Sequence, residues 1–288
     1  MITNHGELIV LYLRGRLGNR MFQLALGNIL AKCLERTLCV QGEFSLLSNV
    51  SYPDAPNDLD LKQCEILKGQ IIDSEQIKKA QTLKKAIVLD GWFQRYSYYA
   101  PYKDMIINLY KEALFQDVSG GNDSDIVFHL RTTDYRKPMV RANYMKPLPL
   151  EYLMTVYRSR AWEKVYIVTD DKDDELVLEF QAHTNGNIIS KTLIHDFNFI
   201  RNSKNIVLST STFSWWAGWL SDAKTIFFPR MGIWNPLLRP DVDLKVNEQR
   251  YDYRLGNSLV RDFWHADSST VFSKPKQLRK FIQIQISI

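Results

Sequence analysis

The chain has 288 residues, 45% of them hydrophobic and 24% charged, the composition of an ordinary globular protein with room for one large domain or two of moderate size. Its formal net charge of +5 is mild and spread along the chain, without the concentrated basic stripe that nucleic-acid binding requires. Three cysteines, Cys33, Cys39 and Cys64, form neither a disulfide framework nor a metal knuckle, and no stretch approaches the ~20 apolar residues of a membrane span.

In chain order, residues 8–13 form an apolar run predicted to be the first strand, followed by a turn at Gly15 and Gly18. Phe22, Leu26, Ile29, Leu30 and Cys33 then recur at helical spacing. Residues 38–41 read as a second strand and 49–60, with Pro53 and Pro56, as a loop. Residues 71–85 are mostly helical in pattern, 86–89 form a strand that delivers Asp90 and Gly91, and 103–114 form a helix. The polar stretch 117–124, with Gly120 and Gly121, is the clearest linker, and it divides the chain into predicted domains 1–118 and 119–288.

The second half opens with a strand at 126–130. A proline-bounded loop, 138–149, carries Arg141 and Lys146 and has the character of a flap. Helices are predicted at 150–158, 175–181 and 197–202, and strands at 165–169, 188–189, 205–209 and 225–228. The segment from Phe263 onward shows no clear periodicity. Strands alternating with helices predict an α/β fold with parallel sheets.

Two strand ends carry chemistry. The apolar run 126–128 ends in His129, Arg131 and Asp134, and ligands of open α/β sheets bind outside the carboxyl ends of the strands. Arg is suited to phosphate there because its planar fork grips oxygen pairs and keeps its charge. The run 206–208 is followed by Ser209, Thr210, Ser211 and Thr212 and then by an apolar, helix-compatible stretch. A hydroxyl-capped helix start offers free N–H groups and a positive dipole to an anion. One end supplies a guanidinium, the other hydroxyls and amides; together they suit a diphosphate.

Five blocks carry a family resemblance. They are Gly15-Arg16-Leu17-Gly18-Asn19-Arg20-Met21-Phe22-Gln23, Leu89-Asp90-Gly91-Trp92-Phe93-Gln94, His129-Leu130-Arg131 with Asp134-Tyr135, Tyr166-Ile167-Val168-Thr169-Asp170-Asp171, and Ser211-Thr212-Phe213-Ser214-Trp215-Trp216. In this order they resemble the signature blocks of the α-1,2-fucosyltransferases, glycosyltransferase family 11. The resemblance implies a GT-B-like scaffold of two Rossmann-like domains facing across a cleft. It also implies inverting transfer of L-fucose from GDP-fucose to the 2-hydroxyl of a terminal β-galactoside, with no metal or other cofactor. The first domain would hold the acceptor and the second the donor. The alternatives are a glycosyltransferase of another linkage or donor, and a glycan- or nucleotide-binding module that has lost turnover.

The resemblance also assigns roles. Arg131 would meet the β-phosphate as it leaves; the competing reading is a structural salt bridge with Asp134. The family's second adjacent arginine is Thr132 here, which supplies no charge, so the neutralisation would fall on Arg131 alone or be shared with Arg16, Arg136 or Arg141. His129 would touch the nucleoside, or else serve as a core histidine. Asp196 would accept both donor groups of guanine, or cap the helix after it. Ser211, Thr212 and Phe213 would grip the phosphates, and Arg16, Gly18 and Asn19 would form the wall opposite. Asp134 leads Glu43 and Asp90 as candidate general base.

Other features are discounted. The acidic run 170–174 suits a helix N-terminus better than a metal, and the Gly15–Gly18 turn lacks the third glycine of a dinucleotide fingerprint. The tryptophans at 215, 216 and 219 are expected to pack rather than bind sugar. The paired lysines 78–79 and 84–85 are expected to form a solvated face. The expected location is the bacterial cytoplasm, with weak attraction to the inner membrane face as a peripheral partner; nucleic acid is not expected as a partner.

Overall fold

The structure, a computed structural model, describes residues 5–42, 49–136, 145–236 and 238–254. Glu43, Arg141, most of the flap-like loop and the segment from Phe263 lie outside the described residues. The described chain forms two compact units, one ending at Leu114 and the other beginning at Phe115.

The first unit runs β1 (Leu8–Tyr12), α1 (Leu17–Leu34), β2 (Thr37–Gln41), β3 (Glu65–Gly69), α2 (Ser74–Thr82), β4 (Ile87–Gly91), α3 (Tyr96–Tyr99) and α4 (Lys103–Leu114). Its four-stranded sheet has the order β2-β1-β4-β3, and every pairing is parallel. Parallel strands lie between layers, so their side chains are apolar on both faces; Ile9, Val10 and Leu11 are fully buried in succession. Helix α1 packs close to β2 at Gly27, where a Cβ would lie 3.0 Å from a Leu38 methyl. Buried tyrosines fasten α3 and α4 to the rest of the unit: Tyr110 donates to the Met21 carbonyl of α1 at 2.6 Å, and Tyr99 donates to the Phe93 carbonyl at 2.8 Å.

Strand β3 is absent from the sequence-based expectation. Glu65 and Lys68 interrupt its apolar character, and it lies at the sheet edge, where charge is tolerated and protects against intermolecular pairing. The paired lysines behave as expected of a solvated face: Lys78 pairs with Glu75 at 2.7 Å and Lys79 with Glu65 at 3.4 Å.

The second unit runs β5 (Ile126–Leu130), α5 (Leu150–Tyr157), β6 (Val165–Thr169), α6 (Glu175–Thr184), β7 (Asn187–Ile189), α7 (Leu193–Arg201), β8 (Asn205–Val207), α8 (Thr212–Trp219), β9 (Thr225–Pro229) and β10 (Tyr251–Arg254). Its six-stranded parallel sheet has the order β10-β9-β8-β5-β6-β7. From β5 the chain winds outward through β6 and β7, then returns to β8 on the other side of β5 and winds away through β9 and β10. That is the doubly wound order, with its switch point between β5 and β8. The α/β expectation, with two Rossmann-like units, agrees with this architecture. The polar stretch 117–124 packs within this unit: Asn202 donates to the Val118 carbonyl at 2.6 Å, and the Gly121 amide donates to Ser203 Oγ at 2.9 Å.

Two expectations need correction. Helix α7 begins at Leu193 rather than Phe197, because Thr192 caps it by accepting the His195 amide. Asp196 therefore sits inside the first turn and is not the N-cap. Strand β10, Tyr-Asp-Tyr-Arg, is also missing from the sequence-based expectation; like β3, it is an edge strand, and in it charged residues alternate with aromatic ones.

Helix α8 anchors this half. Trp215, Trp216 and Trp219 are fully buried; Trp215 stacks on Trp219 and packs edge-on against Trp216. Trp215 Nε1 donates to the Leu244 carbonyl at 2.8 Å. Packing, not sugar contact, is their role. Trp215→Ala removes this payload and leaves a cavity, so urea denaturation is expected to register a loss of about 3–5 kcal/mol. A loss below about 1 kcal/mol would show that α8 is not the anchor.

Candidate functional site at the switch point of the second sheet

Parallel register places the chemistry. Leu130 pairs with Thr169, so the next residues, Arg131 and Asp170, leave adjacent strand ends side by side. Val127 and Phe128 pair with Ile206 and Val207, which brings the hydroxyl-rich turn to the other flank of β5.

Asp170 organises the turn after β5. One carboxylate oxygen accepts the Thr132 amide at 2.9 Å; the other accepts the Thr133 hydroxyl and pairs with Arg131 Nη1 at 2.8 Å. Arg131 Nε donates to Asp134 Oδ1, also at 2.8 Å. The guanidinium is thus clamped by two carboxylates through two of its five N–H donors, at 13% side-chain exposure. Burial tends to raise the Asp170 carboxyl, but the Thr132 amide, the Thr133 hydroxyl and the Arg131 charge outweigh it and hold it below the usual range. Thr132, where the family resemblance leads one to expect a second arginine, is fully buried and directed at Asp170.

Tyr135 joins this turn to its neighbour by donating to the Thr210 carbonyl at 2.7 Å; burial pushes its hydroxyl up to about 12. On that side Ser211 is the N-cap of α8, its Oγ accepting the Phe213 amide at 3.3 Å. Thr212 and Phe213 open the helix, so their amides belong to its positive end. The ring of Phe213 lies 5.4 Å from that of His129 and 5.5 Å from that of Phe197. His129 is 4% exposed, with Nδ1 bonded to Ser209 Oγ at 2.7 Å. The sequence leaves open whether this residue contacts the nucleoside or serves the core; in the fold it is a buried member of the β5–β8 junction. Asp196, one residue before Phe197, accepts the Lys191 amide at 3.2 Å and bonds His195 Nδ1 at 3.2 Å. Burial raises its carboxyl above the usual range despite both contacts.

The fold therefore gathers His129, Arg131, Asp134, Ser211, Thr212 and Phe213 at two neighbouring strand ends, with Asp196 on the adjoining helix. Arg16, Gly18 and Asn19 belong to the first unit, where Arg16 is the N-cap residue of α1, Gly18 is buried, and Asn19 accepts from Gln94 Nε2 at 3.0 Å. Arg136 is committed to a bidentate pair with Asp174 at 2.9 Å. The acidic run divides its duties: Asp174 caps α6, Asp171 accepts the Asp173 amide, and Asp170 holds Arg131. Sequence reasoning assigned this whole run to the helix dipole and missed Asp170. The available signal was its position immediately after β6, one strand over from Arg131.

A profile of the family described as Glycosyl transferase family 11 matches residues 3–233. The chain belongs to that family. No curated protein matches this family 11 glycosyltransferase. Among solved structures it is similar to a variant of FUT1 from Arabidopsis thaliana in complex with GDP, at 11% identity and a TM-score of 0.47, covering 76% of this chain and 70% of the other. It is also similar to the fucosyltransferase NodZ from Bradyrhizobium, at 16% identity and a TM-score of 0.44, covering 76% and 94%. A family 9 glycosyl transferase from Veillonella parvula gives 12% identity and a TM-score of 0.45, covering 98% and 97%. Among the described residues, no helix of this glycosyltransferase is long and apolar enough to cross a membrane.

The burial of His129 has a pH signature. Desolvation pushes its imidazole down from 6.5 to about 4, against an opposing pull from Asp170. The unfolded chain takes up a proton near pH 6.5 and the native state only near pH 4, so stability is complete above 6.5 and declines between those values. The displacement corresponds to about 3 kcal/mol. Urea titrations from pH 7 to pH 4 are expected to show this loss in the wild type and a flatter profile in His129→Gln; equal profiles would refute the assignment.

Proposed function

We propose that this family 11 glycosyltransferase transfers L-fucose from GDP-fucose to the 2-hydroxyl of a terminal β-galactoside, with inversion and without a metal ion. The observation that carries this reading is the clamped guanidinium of Arg131 beside the capped start of α8, at the switch point of a doubly wound sheet.

Transfer from a nucleotide sugar separates charge. The anomeric carbon becomes oxocarbenium-like while the β-phosphate departs as an anion. A preorganised donor stabilises that anion best when it does not have to move at the moment of reaction. Arg131 meets the condition, because Asp134 and Asp170 hold two of its donors and set the direction of the rest. In this scheme Arg131 faces the β-phosphate, and the Ser211 hydroxyl and the Thr212 hydroxyl and amide supply further donors to the diphosphate, while the Phe213 amide stays with the Ser211 cap. Asp196 accepts from guanine, and His129 fixes the Ser209 turn beneath the nucleoside.

Asp134 holds Arg131 through Oδ1, so its first task in this scheme is to orient the guanidinium. A loose transition state places little demand on the base, since the acceptor hydroxyl sheds its proton late. Metal independence is supported by the acidic run, in which the carboxylates of Asp170, Asp171 and Asp174 are committed to Arg131, Arg136 and backbone amides. The three cysteines, all free thiols, suit a reducing, cytoplasmic setting.

Incubation with GDP-fucose and lactose, followed by linkage analysis, tests the donor and the α-1,2 bond together; a product of another linkage would redirect the assignment. Arg131→Ala is expected to lower kcat by roughly 10²–10³, as loss of an oxyanion donor does, with circular dichroism unchanged. Full turnover by the folded variant would remove Arg131 from the reaction. Activity is expected to persist in excess EDTA; loss that Mn²⁺ restores would return the acidic run to the chemistry.

A further inference from the structure

No donor role is assigned to the block Leu89–Gln94 in this scheme, yet its local structure is unusual. Asp90 and Gly91 end β4, and Gly91 lies so close to β3 that a Cβ would sit 2.2 Å from the Gly69 carbonyl oxygen. That carbonyl accepts the next two amides, of Trp92 at 2.8 Å and of Phe93 at 3.2 Å. Phe93 is fully buried in the left-handed region, at φ +52°, a conformation that a bulky residue adopts only when its surroundings impose it. The consequence falls on Trp92. With Phe93 turned in, Trp92 is turned out, and it is 38% exposed.

The ring is not loose. It lies against Gly15, where a Cβ would come within 3.0 Å of Trp92 Cζ3, and Arg20 Nε secures the Gly15 carbonyl at 2.8 Å. One residue before Gly15 and two before Trp92, Arg14 and Asp90 form an ion pair between the ends of the adjacent strands β1 and β4, both partners remaining partly exposed. Buried Gln23 braces the two ends by accepting the Arg14 amide at 2.9 Å and donating to the Gly91 carbonyl at 3.2 Å. Gln94 donates to Asn19 and is itself fixed by Gln70, which accepts its amide at 2.6 Å.

We infer that Trp92, with the Arg14–Asp90 pair, is a pyranose subsite and takes the acceptor sugar. The inference rests on the glycosyl-transfer reading above and deepens it on the acceptor side. A pyranose has one face of C–H bonds and a rim of hydroxyls. A braced indole matches the face, and a carboxylate beside a guanidinium gives the rim an acceptor and donors within one pair. The location is the carboxyl edge of a parallel sheet, where α/β units bind ligands.

Two measurements on the full chain test this. In steady-state transfer, Trp92→Ala is expected to raise KM for lactose roughly tenfold while KM for GDP-fucose stays within twofold. Trp92→Phe, which keeps an aromatic face, is expected to recover most of the loss. Saturation-transfer NMR with lactose alone reads the same subsite without turnover: signal in the wild type, and loss in Trp92→Ala and Asp90→Asn with thermal unfolding unchanged. Lactose signal that depends on Trp92 in a protein that makes no product would uphold the subsite and defeat the transfer reading. An unchanged lactose KM, or undiminished NMR signal in folded Trp92→Ala, would overturn the subsite.

Discussion

The carboxylate of Asp170 holds the candidate centre together. It accepts the Thr132 amide and the Thr133 hydroxyl and pairs with Arg131, so one side chain shapes the turn after β5 and aims the guanidinium. The arrangement exists because β5 and β6 are neighbours in parallel register, which delivers residues 131 and 170 to the same edge. An arginine on a free loop would lose conformational entropy on meeting an anion. Clamped between Asp134 and Asp170, it has lost that freedom already on folding. The clamp sets one positive charge against two negative ones, so the amides and hydroxyls at the start of α8 become significant partners for any diphosphate.

Burial around that clamp is of two kinds. Trp215, Trp216 and Trp219 form an apolar block that fixes α8, and through it the Ser211 cap, relative to β8. His129 and Tyr135 are polar groups taken out of water and satisfied by Ser209 and the Thr210 carbonyl. Removing the partner of such a group costs more than the bond itself is worth, because the remaining group stays desolvated. The two turns are therefore linked in both position and stability. In the first unit the same logic operates at the ends of β1 and β4, where buried Gln23 spans two strand ends and a strained Phe93 forces its neighbour outward.

Much of the fold was legible because buried parallel strands are written as short apolar runs and helices as spaced ones. The runs at 8–13, 126–130 and 165–169 needed no tertiary information, and the residues just beyond the first two marked the candidate site. Edge strands β3 and β10 escaped because charged residues on an exposed edge erase the apolar signal. The start of α7 was misplaced because Thr192, an ordinary N-cap, lies outside the apolar part of the helix, where the periodic signal is strongest.

What the sequence by itself determined was the inventory: which strands end in a guanidinium, in hydroxyls or in an indole, and to which family those blocks belong. Periodicity and local capping are properties of neighbouring residues, so they survive in one dimension. Partnership does not. That Asp170 pairs with Arg131, that Thr132 faces inward, and that Trp92 is pushed into solvent while Trp215 is not, depend on which strands lie side by side and how closely their backbones approach. Strand order and register set those distances, and no spacing along the chain encodes them.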